Sequence, residues 1–461
     1  MSMWATPWFD RSTPAPRAWP PPTQANLLDV LRGIRTRDRH GHALHVGAAV
    51  LFAFLAPLDQ GPNSVASIVL LSVAAVRMVV FPALGTALLR WPPLWLAAAW
   101  VGWMALSAAW SGGASHPADG SPENHPLRLI AGQRMLLAVV ALFPVIEASR
   151  AIAWALIASA ATNGAVQVAQ KFGVLLPPKG ASWRPSGIVA LPAVAAMNAG
   201  SAILLATALW TRERLAGRAA LAVALALCAA GMALAASRQP LLALVPSLLI
   251  LATMLVVHGF ARPRAVVAGL AAMALLALLA TLATGGAVVR YLAAAQQEAE
   301  AAMRGEVGFS SIHLRLHWWR LGLEQWMAHP WTGGGLGSFT GFVAAHPDTA
   351  DFMARSGISE REMLQAHPHS TYVRALAETG LVGFALLAAL LATVLRAALR
   401  NAAYAAQRTV RRAPVEVVGA CAALCFLLLS TAAECVELMN VAYAHLAVIV
   451  ALCALPRARG T

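Results

Sequence analysis

Long apolar runs separated by short polar connections dominate this chain, and each run is close to the roughly 20 residues that a helix needs to cross a bilayer. They fall near 42–58, 64–84, 93–111, 129–147, 151–171, 187–209, 216–236, 240–258, 264–284, 373–398, 415–433 and 440–455. Alternation of period two, the mark of strands, is not the pattern of these runs; they are continuously apolar. The pattern predicts an all-α polytopic membrane protein of about 12 spans. A basic tail (1–41) precedes spans 1–9 (42–284). A long polar-to-helical loop (285–372) separates spans 9 and 10. Spans 10–12 (373–455) lead to a short basic tail (456–461).

Charge orients the spans. Arginines crowd the N-terminal tail (Arg11, Arg17, Arg32, Arg35, Arg37, Arg39), and alternate connections carry Arg90, Arg150, the Arg212–Arg218 group and Arg262 with Arg264. The same side holds Arg396 to Arg412 and the last residues Arg457 and Arg459. The opposite short loops, "DQGPNS", "SGGASHPADGSPENHP" and "ECVELMN", lack arginine. The positive-inside rule then places both termini in the cytoplasm and the 285–372 loop outside. In a bacterium with an outer membrane, the protein would sit in the inner membrane with that loop in the periplasm, where no ATP is present.

Composition sharpens this picture. Of 461 residues, 59% are hydrophobic and 12% charged, half the usual charged share of a soluble domain. The net charge of +14 belongs to basic loops and is not read as a nucleic-acid surface. The five cysteines lie in or beside apolar runs without a CxxC or Cys/His pattern, so neither a structural disulfide nor zinc is expected. No cleaved signal peptide is apparent.

The outer face carries the candidate chemistry. Arg184 in "SWRPSG" and Arg238 in "AASRQPLL" break the charge bias of their loops, and an arginine at the hydrocarbon boundary needs an anion unless it snorkels. Within the large loop, "VVRYLAAAQQEAEAAMRGE" reads as an alanine-rich helix with little chemistry. "SSIHLRLHWWRLGLEQWMAHP" predicts a helix closed by Pro330, with Leu316, Trp319, Leu323 and Trp326 forming an interfacial stripe and Arg315 beside it. "WTGGGLGSF" lacks the lysine of a Walker loop; its bare amides offer a weak anion cradle. Finally "QAHPHSTYVRALAETGLVGF" puts His367 and His369 at a membrane entry. A neutral imidazole accepts a proton near neutral pH. No Asp, Glu or Cys stands at ligand spacing beside the pair, so no metal is assigned to it. Glu378 opens span 10, as a cap or as a partner for Arg374. Arg77 and Arg134 lie inside spans, Arg134 toward the outer half. Glu434 and Glu437 are outer acids without a motif.

At these residues the chain resembles the O-antigen ligase and polymerase superfamily of membrane glycosyltransferases. The likeness rests on Pro368, His369, Ser370 and Val373 followed by Glu378, Gly380 and Gly383. It extends to Arg315-x-x-x-Trp319 leading into the glycine turn, to Ser237–Arg238, and to Arg184-x-x-Gly187. Ser370 stands where asparagine is more common. The resemblance implies transfer of O-antigen from undecaprenyl diphosphate to a lipid A–core sugar hydroxyl, without nucleotide, metal or other cofactor. Polymerisation of the repeat and glycosylation of proteins belong to the same superfamily. It also implies His369 as general base and Arg184, Arg238 and Arg315 as diphosphate ligands, with His367, Glu378 and Arg134 secondary. A single inverting displacement is the simplest mechanism, since no carboxylate nucleophile is evident. The rival class is a solute or lipid-carrier transporter, which would place carboxylates and broken helices near mid-membrane. Here the polar candidates gather at one face.

Overall fold

The computed structural model describes residues 27–111, 125–176, 187–189, 191–269, 271, 293–294, 296–301, 304, 311–357, 359, 367–407, 414–435 and 440–455. Helices and their connections make up all of these residues, with no strand among them. The helices are α1 (Leu27–Arg37), α2 (Arg39–Leu55), α3 (Gln60–Val80), α4 (Pro82–Leu89), α5 (Pro92–Ser107), α6 (Pro126–Gly132), α7 (Arg134–Leu142) and α8 (Ser149–Lys171). There follow α9 (Pro192–Trp210), α10 (Leu215–Ala235) and α11 (Arg238–Val257). Three loop helices come next, α12 (Ser311–Ala328), α13 (Phe339–Ala345) and α14 (Pro347–Ser356). The chain closes with α15 (Thr371–Gln407), α16 (Val415–Ser430) and α17 (Asn440–Ala454).

Eight helical stretches among the described residues are long and apolar enough to cross a membrane. One of them, Pro126–Lys171, joins the two runs expected at 129–147 and 151–171 through a 3₁₀ segment, Phe143–Ala148, bent at Val145. Most of the run expected at 264–284 lies outside the described residues. The tail expected over 1–41 is helical from Leu27, and Val30, Leu31 and Ile34 of α1 are buried in the main core.

The centre of the bundle is α9 against α16. Their spans are 83% and 78% buried, far above the 33% of α3, because both faces meet protein. Small residues permit the approach: a Cβ on Gly200 would lie 2.4 Å from the Phe426 ring, and one on Gly419 2.7 Å from the Ala208 methyl. Peripheral spans turn their long aliphatics outward instead. On α11, Leu242, Val245 and Leu249 are each more than half exposed along one stripe, the face that lipid would cover.

Arg77, inside its span, is a structural residue. Its Nε donates to Asp38 Oδ2 at 3.0 Å, and its Nη1 meets His45 Nδ1 at 3.1 Å. His45 Nε2 in turn meets the Ala141 carbonyl at 2.8 Å. That chain of bonds neutralises a buried cation and ties α2, α3 and α7 together, with the aspartate that caps α2 as its anchor.

The loop helices have their own small core, Trp318, Leu321, Phe339, Val343 and Phe352, and Ala377 of α15 closes it. Of the expected stripe on α12, Leu316 and Leu323 are exposed, whereas Trp319 and Trp326 are half-buried. The opposite face of α12, through Trp318 and Leu321, docks the loop domain onto the membrane helix.

Candidate active site

Helix α15 breaks at Gly380, where φ is 65° and ψ −169°. A break in a membrane helix frees three carbonyls and the matching amides, and each must find a partner away from water. The glycine turn supplies them. The Gly334 and Gly335 amides donate to the Ala377 and Glu378 carbonyls at 2.9 and 3.0 Å. Trp103 Nε1 donates to the Thr379 carbonyl at 3.0 Å. On the other side of the break, the Leu381 and Val382 amides donate to the Pro330 and Trp331 carbonyls at 2.9 and 3.2 Å. The expected anion cradle is therefore a plug: the amides of Gly334 and Gly335 are spent on the broken helix. Gly380 is required because a Cβ there would lie 2.4 Å from the Trp331 carbonyl group.

The plug fixes α12 beside the start of α15, and this brings the expected residues together. His369 adopts φ 47°, a left-handed conformation uncommon for a residue other than glycine. Its ring stacks on Trp318 with centroids 5.0 Å apart and lies 3.9 Å from the His367 ring. The His369 amide donates to His367 Nδ1 at 3.2 Å. His369 Nδ1 faces Glu434 Oε1 at 3.4 Å, while Arg315 Nη2 lies 3.6 Å from Glu434 Oε2. One carboxylate, only 4% exposed, thus faces both the histidine and the arginine. Thr371 holds the Glu434 carbonyl with its amide and hydroxyl at 3.3 and 3.1 Å, which sets the loop after α16 against the start of α15.

Glu434 is the residue that motif reading misses. It stands 65 residues beyond His369 in a connection too short to show a pattern. Its signal was its acidity on the face that also carries the histidines.

Arg238 stands at the same end of the bundle. The neighbouring Gln239 amide donates to the Ser430 carbonyl, at the end of α16 that leads to Glu434. Arg238 itself grips Glu298 with both Nη atoms at 2.6 and 2.9 Å. The alanine-rich stretch, read as having little chemistry, therefore contributes a carboxylate to the site's surroundings. Arg184 lies outside the described residues, as does Glu437. Three residues after Arg184, Gly187 is clamped by Gln170, whose amide group bonds both its N–H and its carbonyl at 3.0 and 3.2 Å. Asn163 takes the next two amides, of Ile188 and Val189, at 2.7 and 3.3 Å.

The secondary residues occupy a different place. Glu378 accepts Arg374 Nε at 3.1 Å, both side chains being nearly inaccessible. Together with Arg134 they line a cavity of about 520 Å³ between α5, α6, α7, α15, α16 and α17. Thr371 belongs to both regions, since it lines the cavity and holds Glu434.

Two loop histidines are kept neutral. Burial, then the charges of His369, Arg374 and Arg315, pushes His367 well below its ordinary range. Burial, then Arg320, pushes His317 down to about 4, its ring stacked 3.8 Å from Phe352. As the pH falls through roughly 6.5, the unfolded chain takes up protons that these folded rings refuse. Stability contributed by the neutral rings is therefore full at neutral pH and lost progressively toward pH 5. The melting temperature of purified protein should fall between pH 7 and 5, and replacing both histidines by glutamine should flatten that slope. An unchanged slope in the double variant would refute the assignment.

No curated protein matches the chain in a sequence comparison. Residues 221–388 match the family model described as O-Antigen ligase. The matched segment, just over a third of the chain, contains Arg238, Arg315, His367, His369 and the broken helix, and supports a likeness of this multi-pass membrane protein to the O-antigen ligase and polymerase superfamily.

Proposed function

We propose that this protein transfers O-antigen glycan from undecaprenyl diphosphate to a sugar hydroxyl of lipid A–core at the periplasmic face of the inner membrane. The observation that carries the reading is the Glu434 carboxylate facing His369 on one oxygen and Arg315 on the other. With Nδ1–H directed at Glu434, the lone pair of His369 sits on Nε2, available to a hydroxyl proton. The left-handed backbone at His369 and the Trp318 stack hold that ring in place.

The step balances in one displacement. The acceptor oxygen bonds to the anomeric carbon as the bond from that carbon to the diphosphate oxygen breaks. The hydroxyl proton goes to His369 Nε2, and the electron pair leaves with the lipid diphosphate. Negative charge grows on the leaving group, and guanidinium forks match phosphate oxygens while staying charged at any working pH. Arg184, Arg238 and Arg315 take that role. For Arg238 the diphosphate replaces Glu298, a carboxylate holding the fork in a two-bonded geometry that a phosphate can also use. The anomeric configuration inverts.

The test is a strain lacking its own ligase, expressing this protein. Restoration of the O-antigen ladder on lipid A–core supports the reading. Bare core with accumulating lipid-linked polymer overturns it for that donor and acceptor. Arg238→Lys keeps the charge but loses the fork, so the expected result is a donor KM raised about tenfold, the equivalent of roughly 1.4 kcal/mol. An unchanged KM would remove Arg238 from the donor site.

A further inference from the structure

The last four carbonyls of α16 all find donors, and two of those donors come from beside the site. A helix leaves these groups without intrahelical partners, and here the end is buried, Ser430 being 0% and Thr431 5% exposed. The Thr431 amide serves the Leu427 and Leu429 carbonyls. The Gln239 side chain serves the Ser430 carbonyl. The Leu428 carbonyl faces two hydroxyls, Tyr372 at 2.9 Å and Thr431 at 2.8 Å, which lie 3.0 Å from each other. The two hydroxyl hydrogens make two of those three contacts at a time.

The start of α15 completes the arrangement. Its first amides are orphans of the same kind. Thr371 gives its amide and hydroxyl to the Glu434 carbonyl. Ser370 caps the turn, its Oγ accepting from the Val373 amide at 3.3 Å. The beginning of one helix and the end of the other therefore cap each other. His369 lies three residues before Tyr372, and Glu434 three residues after Thr431. The hydroxyl pair thus clasps the two helices close to both groups. The contact it holds has little room for movement: His369 Nδ1 and Glu434 Oε1 are 3.4 Å apart, near the outer limit of a hydrogen bond. Glu434 follows the 3₁₀ turn Thr431–Ala433 directly, so a shift of the helix end carries its carboxylate along.

We infer that Tyr372 is a positioning residue for the transfer: with Thr431, its hydroxyl sets the end of α16 against α15, and so the Glu434 carboxylate against His369. It acts through Glu434 and needs no contact with either substrate. This rests on the roles of Glu434 and His369 proposed above. Phenylalanine in its place keeps the ring, and the Leu428 carbonyl keeps the Thr431 hydroxyl, so the variant retains a bonded helix end. The Gln239 bond, next to Arg238, is also untouched, so the donor's arginine keeps its anchor.

The experiment uses the full chain in nanodiscs and varies the donor concentration. Tyr372→Phe should lower kcat about tenfold, less than the ~100-fold that a 1 Å misplacement can cost. The donor KM should stay within about twofold, because the loss falls on the transition state. Thr431→Val checks the same prediction from α16 if Tyr372→Phe folds poorly. In a Glu434→Gln background neither substitution should cost more than about twofold further. That readout separates positioning from general damage, since loss of folded enzyme would multiply in any background. Hydrogen exchange of the Thr371 amide reads the clasp itself and should quicken at least about fivefold in Tyr372→Phe. A full loss that persists in the Glu434→Gln background overturns the proposal, and so does an unchanged kcat in both hydroxyl variants. Failure of the two readings can be told apart. Faster Thr371 exchange in a chain that transfers no glycan sinks the ligase reading and keeps the clasp. An active wild type whose kcat and exchange are unmoved by either variant sinks the clasp and keeps the ligase.

Discussion

Glu434→Gln should cut glycan transfer about 10- to 1,000-fold while leaving the protein folded, because the amide keeps the shape and loses the charge that orients and supports His369. His369→Ala should cost about 100- to 10,000-fold, the range for loss of a positioned general base. The double variant should be no worse than His369→Ala alone. Residues that act as a unit give losses that do not multiply, since Glu434 has nothing to orient once the imidazole is gone. Single-turnover transfer by purified protein gives all three numbers, and the melting temperature of Glu434→Gln controls for structure. Full activity in Glu434→Gln would show the carboxylate to be a bystander. Independent, multiplying losses would give it a role of its own, at Arg315.

Gly380→Ala is expected to be the most damaging single methyl in the protein. The backbone there lies in a region essentially closed to L residues, costing about 1–3 kcal/mol. The added Cβ would also meet the Trp331 carbonyl group and the Gly333 nitrogen within 2.5 Å, and backbone on both sides cannot give way cheaply. Loss of the plug would release four bonded backbone groups of α15 at once. The expected outcome is a lower melting temperature together with loss of the O-antigen ladder. Gly102→Ala is the control: a Cβ there meets nothing within 4 Å, and alanine favours a helix. If Gly380→Ala melts where Gly102→Ala does, the broken helix does not have the importance assigned to it.

Much of this was legible in the sequence. Apolar runs between prolines, glycines and arginines mark the spans, because each must be long enough to cross and must stop where polar backbone can be satisfied. The paired histidines stand out because a membrane entry rarely needs two imidazoles. What stayed hidden depends on residues far apart in the chain. Glu434 meets His369 through the packing of α16 against α15. Glu298 finds Arg238 from a stretch whose alanines disguise it. The glycines of the turn looked like bare amides awaiting an anion, since nothing local says that Ala377 and Glu378 have carbonyls to offer. Arg77, suspicious inside a span, proves to be held by a helix-capping aspartate.

The plug at Gly380 also determines how the site can be reached. Its bonds stitch the loop helices to a transmembrane helix on both sides of the break, and Ala377 sits in the loop domain's own core. Lifting the roof would rupture four hydrogen bonds and a hydrophobic seam in one movement. A turnover that opened upward would carry that cost in every cycle. Substrates that entered sideways, between helices at the level of the lipid, would leave that ceiling stationary throughout.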